Sequence, residues 1–353
     1  MVAQLRPESS YLKLLKKALE TNQIEVRFLN YYRRKQIFPL LFQILFDKKS
    51  YDIIHLHWIH PYTSNNYSIL AFLYSIQFSL DIFLVRLFGC KIVWTVHNLF
   101  SHENFFPKID LWVRKALTKF ANKIILLNQV TAKSITKTYG FTEEKYTVIP
   151  IGNYKTSHST LVEKSEARNQ LGITHKDKVF LNLGLLRPYK GIENLIRAWQ
   201  SHHQKFPADY LVIAGKPINS EYSQQLEELV AETSNILLLP KFIREKDIPT
   251  FFGAADVAIL PFTEILNSAS LVLAMSYEKP IIAPAFPSIE EILEEANELL
   301  YSPNNLDELE SAMSKVHNSD LKKLSSKVEQ ACQKLSWENI AKQTIQVYLS
   351  AQT

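Results

Sequence analysis

The sequence predicts an α/β protein with two open parallel sheets, each covered by helices on both faces. Three observations carry this. Short apolar runs rich in β-branched and aromatic residues alternate with segments of helical spacing in both halves of the chain. A length of 353 residues suits two domains better than one. The charge is uneven: residues 1–155 carry 21 Lys+Arg against 10 Asp+Glu, and residues 156–353 carry 19 against 25. A basic half (+11) joined to an acidic half (−6) suggests two domains with different partners.

In the first half, 24–29, 53–58, 92–97 and 123–128 read as strands, short and bounded by polar punctuation. Residues 9–20 and 108–121 have helical spacing. In the second half, 179–183, 210–214, 236–239, 257–260 and 280–283 read as buried strands. Helical segments are expected at 191–203, 220–233, 268–278, 288–296 and 305–317. The polar stretch 151–176 reads as the connection. The expected boundaries are 1–155, 156–335 and a last helix over 336–353 with Ser336 as its N-cap.

Composition excludes several classes. With 46% hydrophobic and 21% charged residues the chain is neither disordered, collagenous nor a coiled coil. Cys90 and Cys332 are too few for a disulfide framework or a four-cysteine zinc site, and a reducing, cytoplasmic setting is the expectation. The opening MVAQLRPESSYLKLL has no apolar core of the secretory kind. The most apolar stretch, 69–88, is interrupted by Gln77, Asp81 and Arg86, and reads as a buried or interfacial helix. No GxGxxG follows any expected strand, which argues against a nicotinamide dehydrogenase.

Ligands of open parallel sheets bind beyond the carboxyl ends of the strands, so the loops after each strand are the place to search. Residues 180–191 read FLNLGLLRPYKG. A strand ends near Gly184, and a short loop presents Arg187 and Lys190 before a helix that starts at Gly191. Two cations beside a helix N-terminus can hold a diphosphate, with Arg187 binding two oxygens and Lys190 acting as a point charge. Spacing alone fits a solvated basic turn equally well. Residues 256–270 read DVAILPFTEILNSAS. Asn267, Ser268 and Ser270 are cap-forming types at a helix start, whose free N–H groups and dipole favour an anion. An ordinary N-cap reads the same way by itself.

These two segments resemble the donor half of the GT-B glycosyltransferases, notably the retaining family four (group 1) enzymes. The similarity extends in order through DIIHLHW (52–58), TVHN (95–98), IPIGN (149–153) and LVIAGK (211–216). It implies a GT-B fold, with two Rossmann-like domains whose parallel sheets face a cleft. It also implies a hexosyltransferase moving a sugar from a nucleotide-sugar donor to a glycan or lipid-linked acceptor, in polysaccharide or glycolipid biosynthesis. By the resemblance Gly184, Arg187, Lys190 and the turn Asn267, Ser268, Ala269, Ser270 bind the donor phosphates and sugar, and Phe242 and Ile243 hold the nucleobase. His97 contacts the transferred sugar, and the last helix crosses back to the first domain. Where the family carries two glutamates eight positions apart, this chain has Ile265 and Leu273; a related subset carries an Asn/Thr-Ser-Gly/Ala-Ser turn that 267–270 matches. The glycine-rich loop after the first strand is replaced by RPESS (6–10).

His97 ends an expected strand and is able to donate a hydrogen bond to a sugar hydroxyl or to accept a proton. Glu103 is the nearby carboxylate and the fallback base; a surface carboxylate is the plain alternative. Alternation puts His55 and His57 on one face and Leu56 and Trp58 on the other. A paired-histidine metal site lacks a third ligand at metal spacing, so no metal or other cofactor is expected. His57 or Trp58 is the expected acceptor contact, with core packing the common role of such a tryptophan.

Residues 31–49 (YYRRKQIFPLLFQILFDKK) flank an apolar run with cations, which suits either a helix on an anionic membrane or an ordinary amphipathic helix. The basic first half tilts the reading to peripheral contact at the inner membrane face. No nucleic-acid recognition motif is present. The reading is a retaining, metal-independent glycosyltransferase. The alternative, motivated by Ile265 and Leu273, is a non-catalytic nucleotide-binding or partner subunit.

Overall fold

The computed structural model describes residues 2–4, 9–29, 37–46, 51–63, 65–99, 106–155, 161–173 and 177–352. The chain divides into two compact units, Met1–Gly152 with Ser336–Thr353, and Asn153–Leu335. In the first unit the elements run β1 (Val2–Gln4), α1 (Ser10–Thr21), β2 (Arg27–Leu29), α2 (Pro39–Phe46), β3 (Ile53–Leu56), α3 (His60–Thr63), α4 (Ser68–Leu87), β4 (Lys91–Val96), α5 (Pro107–Phe120), β5 (Lys123–Leu126), α6 (Gln129–Tyr139) and β6 (Tyr146–Val148). The second unit contains α7 (Lys164–Gln170), β7 (Val179–Leu183), α8 (Ile192–Lys205), β8 (Tyr210–Ala214), α9 (Ser220–Ala231), β9 (Ile236–Leu239), α10 (Ile248–Ala254), β10 (Val257–Ile259), α11 (Ala269–Ser276), β11 (Ile281–Pro284), α12 (Pro287–Leu293), β12 (Leu300–Tyr301), α13 (Leu306–Lys315) and α14 (Leu321–Lys334). The chain then returns to the first unit as α15 (Trp337–Gln352).

Each unit has a six-stranded sheet, ordered β2-β1-β3-β4-β5-β6 and β12-β11-β10-β7-β8-β9. Every pairing is parallel. The order reverses direction between β1 and β3 in one sheet and between β10 and β7 in the other, the places where such sheets open for a ligand.

Why these segments become central strands is visible in burial. Ile92, Val93, Trp94, Thr95 and Val96 of β4 are all buried, and so is every residue of β7, because helices cover both faces of each sheet. Helix α8 sets Ile192, Leu195, Ile196 and Trp199 on one stripe at i, i+3, i+4 and i+7, sealed against Phe180, Leu211, Ile213 and Met313. Truncating Ile196 to Ala there is expected to cost roughly 2–5 kcal/mol. In the first unit α15 packs on α1, β4 and β5. The hydroxyl of its Tyr348 lies 2.7 Å from His55 Nδ1.

Helix α4 is long and apolar enough to cross a membrane by length and composition. Its inward side (Ala71, Phe78, Ile82, Val85) is buried. The Asp81 carboxylate accepts the N–H groups of Leu40 and Leu41 at 3.0 and 2.9 Å, capping the start of α2. Burial pushes the Asp81 carboxyl up to about 6 against the pull of those two amides.

Several expectations change. The chain leaves the first unit after Gly152, and the stretch read as a plain connection contains α7, capped by Glu163 accepting from Ser165 and Glu166. Helix α8 begins at Ile192, after a 3-10 turn Pro188–Lys190 and a left-handed Gly191. Of the 31–49 segment, the described helix is Pro39–Phe46, and residues 31–36 and 47–49 lie outside the described residues.

Candidate functional site

The carboxyl edge of the second sheet is assembled by backbone bonds between successive loops. Gly184 N donates to Ala214 O, Gly215 N to Leu239 O and Leu186 N to Lys216 O. Asn182 ties the neighbouring strand in, its Nδ2 donating to Ile259 O at 2.7 Å. The turn after β7 is then clamped to the loop after β10, with Thr263 N donating to Tyr189 O at 3.0 Å. Gly191 is required there: its φ is +68°, and a Cβ would meet Pro261 O at 1.9 Å.

This clamp brings two sequence-predicted segments together. Lys190 Nζ lies 3.2 Å from Ser270 Oγ and 4.6 Å from the centre of the Phe262 ring. Burial, and then the charge of Arg187, pull its ammonium down to about 8. Gly184 belongs to the same cluster, since a Cβ on it would sit 2.8 Å from Ser270 Oγ. Arg187 Nη1 donates to the carbonyls of Leu186 and Lys216 at 2.9 and 3.2 Å. Ser268 is the N-cap of α11, its Oγ accepting from Leu271 N at 3.0 Å. The helix start leaves the amides of Ala269 and Ser270 without intrahelical acceptors. Two cations and a helix N-terminus therefore converge beside the ends of β7 and β10, an arrangement able to hold an anion.

Phe242 and Ile243 follow β9 and line a bowl of about 500 Å³ with Leu239, Lys241, Arg244 and Phe251. Phe242 is 67% exposed. Ile265 and Leu273, where the family's glutamates are absent, are half-buried.

In the first unit the histidines form a cluster. His97 follows β4 and His57 follows β3, with His57 Nδ1 and His97 Nε2 3.2 Å apart. His55 lies 2.7 Å from both Thr95 Oγ1 and the Tyr348 hydroxyl. Burial pulls His55 and His97 down to about 3 and holds His57 well below its ordinary value, with the neighbouring histidines adding to the shift in His57 and His97. All three are neutral at pH 7. Tyr11 meets His97 and His57 edge-on, with ring centres 5.3 and 5.7 Å apart.

Two expectations are corrected here. Strand β3 ends at Leu56, so alternation does not carry to Trp58, which stacks on His97 at 4.1 Å rather than facing away. His57 is 2% exposed beneath His97, which leaves it no surface for an acceptor, while Trp58 is partly exposed. Glu103 lies outside the described residues. Sequence reasoning missed Tyr11, Asn182 and Tyr348. It also missed a cluster in which His202 and His317 both hydrogen-bond to Asp209 Oδ2, at 2.9 and 2.8 Å.

Comparisons with known proteins bear on the family and the fold. Residues 163–334 match the family described as Glycosyl transferases group 1, and residues 12–152 match Glycosyltransferase Family 4. The GDP-mannose:glycolipid 4-beta-D-mannosyltransferase of Xanthomonas campestris pv. campestris is 26% identical over 249 residues, 69% of this chain and 64% of that protein. The MMP alpha-(1->4)-mannosyltransferase of Mycolicibacterium hassiacum is 21% identical over 285 residues, 74% of this chain and 66% of that one. The match thus spans a little under two thirds of each relative's own length. Among solved structures, sucrose-phosphate synthase from Thermosynechococcus elongatus superposes with a TM-score of 0.74 at 19% identity, over 99% of this chain and 98% of that one. Anabaena Alr3699/HepE in complex with UDP-glucose gives 0.73 at 20% identity, over 98% of both chains. On the two family matches and the two parallel sheets, the chain belongs to glycosyltransferase family four, the group 1 glycosyl transferases, and has their GT-B fold.

Proposed function

We propose that the protein transfers a hexose from a nucleotide-sugar donor to a glycan or lipid-linked saccharide, with retention. The observation that carries the reading is the meeting of Lys190 and Ser270 beside Gly184, at the carboxyl edge of a parallel sheet. In this reading Arg187 and Lys190 neutralise the donor diphosphate, and the first amides of α11 hold a phosphate oxygen. The bond between the anomeric carbon and the diphosphate oxygen breaks, and the acceptor oxygen bonds to the same face of that carbon. The acceptor's proton passes to the departing diphosphate oxygen. Catalysis is then electrostatic, with the two cations supplying the charge a metal would otherwise bring.

His97 suits the role of hydrogen-bonding to the transferred sugar. An imidazole that protonates only at about pH 3 is a weak base, which favours a route needing no protein base. His57 acts through His97 by fixing its ring, and Trp58 offers an aromatic face to the acceptor. The relative's name makes GDP-mannose the first donor to try, and the UDP-glucose complex makes UDP-glucose the second. A cytoplasmic setting, with the acceptor presented at a membrane, fits a glycolipid substrate.

The test is calorimetric titration of GDP, UDP, GDP-mannose and UDP-glucose into the wild type and Arg187→Ala. One nucleotide family should bind selectively, and the variant should lose about tenfold or more, the worth of a charge-assisted contact. Binding that is nucleotide-selective but never followed by transfer or donor hydrolysis would instead support a non-catalytic subunit.

A further inference from the structure

Helix α4 is predominantly apolar around its circumference, yet only one side is covered. Ile69, Phe72, Leu73, Leu80, Phe83 and Leu87 fall on a single stripe and are 40 to 73% exposed. Helix α5 lies alongside and extends this stripe. Phe72 and Trp112 have ring centres 6.1 Å apart, and Phe83 and Phe120 5.8 Å. Between the two helices Ile76, Leu80 and Phe83 face Trp112, Ala116 and Phe120 across a groove of about 410 Å³, in which Ser79 is the one polar lining residue. Isolated exposed apolar residues need no explanation, but a continuous stripe backed by an apolar groove does.

The charges say what covers it. Lys108, Lys115 and Lys119 of α5 are exposed on the same side as Trp112. The carboxylates of the two helices are turned away: Asp81 is buried capping α2, and Asp110 is buried against Arg114 at 2.9 Å. An apolar face edged by lysines, with no exposed carboxylate on either helix, matches an anionic bilayer surface, with side chains in the acyl boundary and ammonium groups among the phosphates. A symmetric second copy would oppose this lysine row to itself. A spanning role is unsuited, because the other side of α4 is packed and holds Asp81.

We infer that the α4–α5 face of the first unit is a docking surface for an anionic membrane, with the groove receiving hydrocarbon. The inference stands apart from the sugar-transfer reading, since its readout needs no turnover. The experiment is co-sedimentation of the whole protein with phosphatidylcholine vesicles, with and without phosphatidylglycerol, at low and high salt. The wild type should partition about tenfold or more in favour of the anionic vesicles at low salt, near 1 kcal/mol per lysine. Lys115→Glu/Lys119→Glu, at exposed positions that leave folding untouched, should lose that preference. Leu80→Ser/Phe83→Ser should release the salt-resistant fraction, with an unchanged circular dichroism spectrum confirming the fold. Wild type left in the supernatant with every vesicle, or both variants binding as the wild type does, would overturn the inference. So would a dimer in analytical ultracentrifugation that Leu80→Ser dissociates, with no vesicle binding.

Discussion

Lys190 and Ser270 are separated by 80 positions and touch at 3.2 Å. The contact joins the turn after β7 to the first turn of α11, so an anion between them would meet a cation and a helix N-terminus together.

The Lys190 ammonium, pulled down to about 8, gives the proposed donor site a pH signature. Below pH 8 it is charged and attracts a diphosphate; above pH 8 it is neutral in the free protein. Nucleoside diphosphate affinity should therefore fall by up to about tenfold per pH unit above 8. Lys190→Arg should flatten the profile, because a guanidinium keeps its proton there. A flat wild-type profile between pH 7 and 9 would remove Lys190 from the site.

Gly184 carries a φ of +154° and has no room for a Cβ beside Ser270 Oγ. Gly184→Ala is expected to cost roughly 1–3 kcal/mol in backbone strain and to displace Ser270 from Lys190. Chemical denaturation of the single variant and of Gly184→Ala/Ser270→Ala separates the two effects. The double variant should recover the steric part of the loss and leave the strain.

The three buried histidines predict a loss of stability in acid. Their folded pKa values lie below the unfolded 6.5, at about 3 for His55 and His97. The unfolded chain therefore binds more protons as pH falls through 6.5, and stability drops by about 1.4 kcal/mol per pH unit for each histidine until the folded pKa is reached. Imidazole NMR resonances of His97 should not titrate between pH 5 and 8. His97→Ala should lower turnover with nucleotide affinity unchanged, and unaltered turnover would end its catalytic assignment.

Asp256 and Arg168 pin α7 to the starts of β7 and β10. Asp256 Oδ2 accepts from Arg168 Nη2 at 2.7 Å and from Val179 N at 2.8 Å, and Arg168 Nε donates to Ala254 O at 3.1 Å. Both side chains are under 10% exposed. Asp256→Ala should cost about 3–5 kcal/mol by stranding a buried guanidinium. Lys164, on the exposed side of the same carboxylate, should matter by less than about 1 kcal/mol when truncated.

The sequence makes the central strands legible because burial on both faces leaves an unbroken apolar run: β7 and β8 lie at the expected 179–183 and 210–214, and the half-buried edge strand β9 lies at the expected 236–239 because its four residues are all apolar. Strands β1, β6 and β12 have three residues or fewer and carry no periodicity. Helix α14 escaped notice because only Leu324, Val328, Ala331 and Cys332 are buried within a polar stretch. The candidate site was legible as residue types at strand ends. What was not legible is long-range: Tyr348 reaches His55 across 293 positions, and Trp58 turned because its strand stopped two residues early. Pairings of that kind are set by packing and leave no local pattern.

The first unit is discontinuous in sequence, completed only when α15 lays Tyr348 against His55. The second is continuous, and Asn153 N donates to Leu335 O at 2.8 Å, so its entry and exit points lie side by side. During synthesis the usual order, with the earlier domain maturing first, should be inverted. A nascent chain halted at Leu335 should present a protease-resistant second unit and a still-digestible first one. Stop codons anywhere in α15 would then damage the histidine cluster of the first unit while leaving the Lys190–Ser270 contact of the second unit folded.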